Sequence, residues 1–221
     1  MKIIKQNSSD LIMIEPKHFG FNIETAEDNH YQINDDLISE IEIKQKANKE
    51  FNELVKKIKE ENISVRVFDD EKNIITTDSV FPNNWISLHE EGKVILYPMF
   101  SKNRRKEREN SFVKSYLNNN YFINQIIDLT DWEKKEKFLE GTGSMIFDRI
   151  NKICFAAISN RTSSVVLKEL CDILHYDLFT FKANQTYNNN RVPIYHTNVM
   201  MSLGEKFVVI CLESIDDITE K

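Results

Sequence analysis

The residues best able to do chemistry fall in three short, widely separated segments: Asp78 to Asn84 with Trp85 behind it, Glu140-Gly-Thr-Gly-Ser144, and His196-Thr-Asn198. The His196 imidazole titrates near neutral pH, so it suits a step that takes up a proton and a step that delivers one. A lone histidine held by hydrogen bonds in a strand is the rival reading. Glycines 141 and 143 allow a tight backbone bend beside the Glu140 carboxylate, or simply a turn before a strand. The Asn84 amide can donate and accept at once, although Pro-Asn-Asn is also an ordinary turn. Arg161 and Arg104 each offer a planar fork that grips a carboxylate with two parallel hydrogen bonds. Arg104 stands in a charged run beside Arg105, where a solvated face explains it equally well. Cys154, Cys171 and Cys211 sit in apolar runs, and burial quiets a thiol by raising its pKa. Neither they nor the five histidines show metal-ligand spacing, so no metal site is expected.

Elements that could position these residues follow from periodicity. An apolar run from Asp10 to Glu15, stopped by Pro16, predicts a first strand. Ile43, Ala47, Phe51, Leu54 and Ile58 recur at helical spacing within a predicted helix over Leu37 to Glu61. Val65 to Phe68 reads as a short strand. A unit then repeats. Strands are expected at Asn83–Leu88 and Val94–Tyr97, turning at Gly92, then a helix at Arg105–Leu117 and a strand at Ile123–Leu129. The second round has strands at Gly143–Phe147 and Ile153–Ile158, a helix at Ser163–His175 capped by Ser163 or Ser164, and a strand at Leu178–Phe181. A third strand pair is expected at His196–Ser202 and Phe207–Leu212. The period, about fifty to sixty residues, marks repeated supersecondary units. The fold class is α/β. A mixed sandwich is the plain alternative, whereas a radial array of small sheets must close on itself to cover its edges.

The segments Asp78-Ser-Val-Phe-Pro-Asn-Asn84-Trp85, Glu140-Gly-Thr-Gly-Ser144 and His196-Thr-Asn198, joined by Arg104-Arg-Lys-Glu107 and Ser159-Asn-Arg161-Thr162, resemble in order and spacing the signature of the guanidine-modifying superfamily. That superfamily includes arginine deiminases and dimethylarginine hydrolases. The Phe-Pro-Asn-Asn-Trp, Glu-Gly-Thr-Gly-Ser-Met and Tyr-His-Thr-Asn-Val-Met-Met wording, with the Phe19-Gly-Phe-Asn22 loop, is similar to its citrulline-utilisation hydrolase branch. The resemblance implies a five-bladed α/β propeller, a pentein built from ββαβ units, with the active site on its axis. It implies that His196 is the general acid/base and that Glu140 accepts hydrogen bonds from substrate nitrogens. Asp78, Asn84 and Asn198 would hold the substrate, and Arg161 and Arg104 would clamp its α-carboxylate. The loop Phe19 to Asn22 is a candidate cover for the pocket, with plain packing of its two aromatics as the commoner reading. Relatives that take guanidinium substrates generally carry a carboxylate where this chain has Asn84. An amide suits a neutral ureido group better than a cation, so citrulline is the expected substrate, giving ornithine, carbon dioxide and ammonia. Arginine-type substrates remain the alternative.

The resemblance also implies a nucleophilic cysteine well beyond the twenty-five residues that follow His196 here. Residues 1–221 are thus expected to form a single amidinotransferase-like domain lacking its C-terminal blade, inactive for want of the nucleophile. A homo-oligomer or a partner over the open edge is the expected companion, and a non-catalytic binding module is the rival function. A net charge of -6 argues against nucleic acid, and no apolar stretch is long enough for a membrane span. Met1-Lys-Ile-Ile-Lys5 lacks the apolar core of a signal peptide, and three unpaired cysteines suit the cytoplasm. No cofactor is expected, only a small amino acid.

Overall fold

The computed structural model describes residues 5–34, 37–70, 74–120 and 122–221. The reading of the first four residues as no part of a leader lies outside them. β1 (Asp10–Ile14) and β2 (Ser64–Phe68) run parallel, joined through α1 (Glu40–Glu60). The second sheet has β3 (Ile86–Leu88) antiparallel to β4 (Lys93–Leu96) and β4 parallel to β5 (Gln125–Asp128), with α2 (Ser111–Asn120) in the crossover. Ahead of the third sheet comes a single helical turn, α3 (Gly141–Ser144). Then β6 (Ile146–Asp148), β7 (Ile153–Ala157) and β8 (Asp177–Phe181) repeat the same pattern, with α4 (Ser164–Leu174) crossing over. Parallel neighbours cannot be joined by a hairpin, which is why a helix recurs at that point of each unit.

β9 (Asn184–Tyr187) and β10 (Asn190–Pro193) form a hairpin that the sequence reading did not anticipate. Its turn residues Asn188 and Asn189 have φ of 48° and 60°, the left-handed pair that a two-residue hairpin requires and asparagine tolerates. β11 (Met201–Leu203) and β12 (Val208–Ile210) form the last antiparallel pair. Among the described residues, β12 pairs only with β11 and β1 only with β2, and Phe207 and Val209 beside the free edge are 65% and 60% exposed.

Three units open with one turn of helix where strand was expected. Pro82–Asn84 precedes β3, α3 precedes β6, and Thr197–Val199 precedes β11. In each, an amide reaches back three residues: Asn84 to Phe81 (3.1 Å), Gly143 to Glu140 (3.0 Å) and Val199 to His196 (3.3 Å). The strands expected from Asn83, Gly143 and His196 therefore begin at Ile86, Ile146 and Met201, three to five residues later. Local hydrogen bonds, helped by Pro82 with its fixed φ and Gly141 at φ 45°, override the apolar pattern. The single helix expected over Arg105–Leu117 is also two pieces, a 3-10 stretch at Asn103–Glu109 and α2. Asn110 divides them: its side chain accepts the Val113 amide (2.9 Å) and donates to the Asp69 carbonyl (3.2 Å).

The core gathers between helices and sheets. On α4, Val166, Leu167, Leu170, Cys171 and Leu174 are buried at helical spacing against Ile95, Leu139, Met145 and Phe147. Each such side chain contributes roughly 1.5–3 kcal/mol by leaving water. Gly92 fixes the β3–β4 turn: its φ is 71°, and a Cβ there would lie 2.2 Å from the Phe122 carbonyl oxygen. Gly92→Ala is expected to lower the urea midpoint by an amount equal to about 2 kcal/mol or more. Gly20→Ala, whose Cβ meets nothing nearer than 3.9 Å, serves as the control and stays within about 0.5 kcal/mol.

Candidate active site

The three entry turns meet, and their packing brings the sequence-predicted residues together. Thr197 donates from Oγ1 to the Ser144 carbonyl (2.5 Å) and accepts the Ala157 amide (2.9 Å), which locks the His196 turn to α3. Ser144 Oγ accepts the Glu140 amide (3.0 Å) and donates to the Arg161 carbonyl (2.8 Å). These bonds aim the Glu140 carboxylate inward, where it is fully buried. Its Oε1 accepts the Phe100 amide (3.0 Å). Its Oε2 lies 2.8 Å from His196 Nε2 and 3.5 Å from Arg161 Nη1. Burial pushes this carboxyl up, but the His196 hydrogen bond and the Arg161 guanidinium outweigh burial and hold it at about 2. Burial pushes the His196 imidazole down, and the Glu140 hydrogen bond only partly offsets that, so the ring rests neutral at pH 7.

Those two states fix a tautomer. An ionised carboxylate only accepts, so Nε2 carries the hydrogen and Nδ1 the lone pair. Among the described residues Nδ1 has no hydrogen-bond partner. It faces the bare Cα of Gly143, where a Cβ would lie 2.7 Å from His196 Nδ1 and 2.4 Å from Asn84 Nδ2. Asn84 is fixed by the same logic. Arg104 Nη1 lies 2.8 Å from its Oδ1, and a guanidinium only donates, so the amide turns its NH2 toward His196.

Arg104 is buried, with Nε and Nη2 donating to the two oxygens of Glu107 at 2.8 and 2.9 Å. Burial opposes its charge, and Glu107 and Asp78 outweigh that and raise its pKa. Asp78 accepts from Asn22 Nδ2 (2.7 Å) and from Thr25 Oγ1 (3.5 Å). Arg161 donates from Nε to both oxygens of Asp28 (3.0 and 2.9 Å), pairs with it again through Nη2, and donates to the Thr25 carbonyl (3.0 Å). The Tyr195 ring stacks against its guanidinium at 4.7 Å. Asp78, Asn84, Arg104, Arg161, Tyr195 and His196 line a cavity of about 240 Å³, with exposed Asn198 at its rim.

Several placements differ from the sequence reading. The Arg104 fork is spent on Glu107 and Asn84 and is not open to a carboxylate. Both Glu140 oxygens are occupied, and the side chain does not line the cavity. Of the loop Phe19 to Asn22, only Asn22 reaches the site; the cover comes from Thr25 and Asn29. Cys211, expected in a core-like strand, follows β12 and is exposed, because the outer face of that hairpin is bare. Cys154 and Cys171 are buried in the α4 core. No cysteine lines the cavity. Sequence reasoning missed Asp28, which nothing in its polar run sets apart, and Glu107, whose i+3 spacing from Arg104 was visible.

A family model described as N,N dimethylarginine dimethylhydrolase, eukaryotic, matches residues 15–221. The chain belongs to this family. The dimethylarginine dimethylhydrolase match places it among guanidine-modifying hydrolases, and solved structures agree on a mixed α/β fold. The N-terminal domain of ArgZ, an arginine dihydrolase from cyanobacteria solved as a mutant bound to substrate, is 18% identical over 93% of this chain and 67% of its own, with a TM-score of 0.65. AgrE in its complex with ornithine and NAD+ is 20% identical over 96% of this chain and 28% of its own, with a TM-score of 0.67. A dimethylarginine dimethylaminohydrolase adduct is 12% identical over 90% and 67%, with a TM-score of 0.61. No curated protein sequence matches. Among the described residues no helix is long and apolar enough to cross a membrane, and no group of three His, Cys, Asp or Glu could hold a metal.

Glu140 carries a stability consequence. Its folded pKa lies below the ordinary 4.5, so its contribution is full above that value and is lost as pH falls toward about 2. The gap corresponds to about 3 kcal/mol. Urea melts of the wild type and Glu140→Gln should differ by a constant amount above about pH 5, and the difference should close between about pH 4.5 and 2.

Proposed function

We propose that this chain forms the substrate pocket of a hydrolase acting on the planar carbon of a ureido amino acid, with citrulline the favoured substrate and ornithine, carbon dioxide and ammonia the products. The observation that carries this reading is the Asn84 amide. Arg104 takes its oxygen, so it offers the pocket a donor beside the His196 lone pair. A ureido oxygen accepts that hydrogen bond, whereas a guanidinium has only N–H groups to set against it.

In this reading His196 takes a proton at Nδ1 and returns it to the departing amine, then activates the water that clears the intermediate. Glu140 acts through His196 as a positioning residue: it holds the tautomer and stabilises the imidazolium as it forms. Asp78 suits the substrate α-ammonium and Arg161 the α-carboxylate, with Asn198 at the rim. Asp28 now occupies the Arg161 fork, so it must share or yield that group when substrate enters. The attacking group would be a cysteine thiolate. No thiol lines the cavity, so the 221 residues by themselves should bind substrate without turning it over. The repeated units read as blades of a five-bladed α/β propeller. A closing segment, or a partner or second copy, would lie against the free β12 edge.

A guanidino substrate is the second reading, favoured by one observation. Four carboxylates (Asp28, Asp78, Glu107 and Glu140) surround two guanidiniums (Arg104 and Arg161), which suits a cation. The arginine dihydrolase and dimethylarginine relatives bear names that fit it. Isothermal titration of the purified chain separates the two. Citrulline is expected to bind at least about tenfold more tightly than arginine or dimethylarginine, a difference of about 1.4 kcal/mol. The opposite order would establish the guanidino reading.

A further inference from the structure

We propose that the chain carries a second ligand site, for a phosphate-type oxyanion, at the ends of β3 and β6 remote from the substrate pocket. Asn84 stands just before β3 and His89 just after it; Glu140 stands before β6 and Arg149 after it. The two strands therefore carry substrate-pocket residues at one end and this second cavity at the other.

The cavity measures about 200 Å³ and takes in His89, Lys93, Arg149, Lys152, His175 and Tyr176. They come from three separate segments: the β3–β4 turn, the β6–β7 turn and the α4–β8 junction. No ion pair of Arg149 or Lys152 with a carboxylate occurs among the described residues. Each instead lies over a ring: the Arg149 guanidinium over Phe147 at 5.8 Å and the Lys152 ammonium over Tyr176 at 4.8 Å. The arginine is also held from behind, because its amide donates to Gln6 Oε1 at 2.8 Å. Lys93 meets Glu91 at 3.6 Å, but that carboxylate is 73% exposed and the pairing is weak in water. Among the described residues, the acids lining the cavity are Glu90 and Glu91, both exposed at its outer rim.

His89 lies among the three cations. Its Nε2 lies 2.7 Å from Ser87 Oγ, which in turn lies 2.7 Å from the buried Tyr97 hydroxyl, and its ring edge meets Phe147 at 5.6 Å. Burial, then Arg149, Lys152 and Lys93, push its pKa down to about 3, so no positive charge is added there. The result is a half-enclosed hollow lined by three cations and a neutral imidazole, in which the cations outnumber the two acids at its rim. An arginine fork and two ammonium groups arriving from different directions match the several oxygens of a tetrahedral dianion better than the two oxygens of a monocarboxylate. A half-buried position also shields these charges from salt less completely than the interior but more than an open surface.

Inorganic phosphate, glycerol 3-phosphate and acetate, titrated into the full chain, test the site, with calorimetry and the nitrogen shifts of the His89 ring as readouts. Phosphate or the phosphomonoester should bind with a Kd below about 1 mM at low salt and move the His89 ring signals, and acetate should do neither. Tighter binding of glycerol 3-phosphate would identify a phosphomonoester as the ligand, and equal binding the free anion. Arg149→Gln with Lys152→Gln should weaken binding about tenfold or more while leaving citrulline binding and the urea midpoint unchanged. Absence of binding at about 10 mM phosphate, or binding unaltered in the double variant, would overturn the proposal.

Discussion

Arg104→Met is expected to remove about 3–5 kcal/mol of folding stability, a large share of the roughly 5–15 kcal/mol by which a folded domain is stable. Arg104 is almost fully buried, and so is Glu107, whose two oxygens accept from its Nε and Nη2. Burial already pushes the Glu107 carboxyl up, and without its partner it must fold protonated or remain an unpaired charge in an apolar setting. The same substitution frees the Asn84 amide, whose oxygen accepts from Arg104 Nη1. Urea denaturation reads the loss directly. Replacing both members, Arg104→Met with Glu107→Leu, should recover most of it, because an apolar pair of similar volume carries no desolvation cost. The exposed pair Arg191–Asp216, at 2.5 Å, provides the contrast: Arg191→Ala should change stability by no more than about 0.5 kcal/mol. A small effect at Arg104 would mean that the network around Asn84 does not hold it.

Asn84→Asp is the second large effect, and it acts on ligand choice. The new carboxylate would still accept from Arg104, so the fold should survive. It would replace the donor facing His196 by an acceptor and place a further negative charge near Asp78 and Glu140. A ureido oxygen would then meet an acceptor, and a buried polar pair with no hydrogen between them costs about 3 kcal/mol, roughly a hundredfold in affinity. A guanidinium would gain a counter-ion. Citrulline binding by isothermal titration should fall by about that factor while arginine binding strengthens. Unchanged preference in the Asp variant would remove Asn84 from any role in selecting the ligand.

Much of this arrangement was legible in the residues alone, for identifiable reasons. The helical spacing of Ile43, Ala47 and Phe51 in α1 and the apolar pattern of α4 pointed to both crossovers, although Leu54, expected on the α1 stripe, is half exposed and Val55 is the residue buried there. The alternation of strand pair, helix and strand followed from the same patterning. What escaped were features decided by single hydrogen bonds. The turns carrying Asn84, Glu140 and His196 have apolar residues immediately after them, so they read as strand until their three-residue backbone bonds are seen. Asn110 looks like a helix interior residue, yet its side chain caps α2. The β9–β10 hairpin hid because Gln185, Thr186 and Tyr187 have no apolar alternation, although Asn188-Asn189 was a turn signal in plain view.

For the site, residue types showed what could gather but not which atoms would be free. Glu140 looked open to substrate, and its two oxygens are taken by Phe100, His196 and Arg161. Arg161 looked like a clamp, and Asp28, more than a hundred residues earlier, already fills it. No local pattern links that pair, because it exists only once the segment bearing Thr25 and Asp28 folds over the cavity.

The orientation of the Asn84 amide is what the functional reading depends on, and a crystal structure of the chain with citrulline tests it most directly. The account predicts the ureido oxygen within about 3 Å of Asn84 Nδ2, its carbon beside His196 Nδ1, and the α-carboxylate at Arg161 in place of, or alongside, Asp28. Citrulline seated outside the cavity, or inside it with its oxygen turned away from Asn84, would contradict the account.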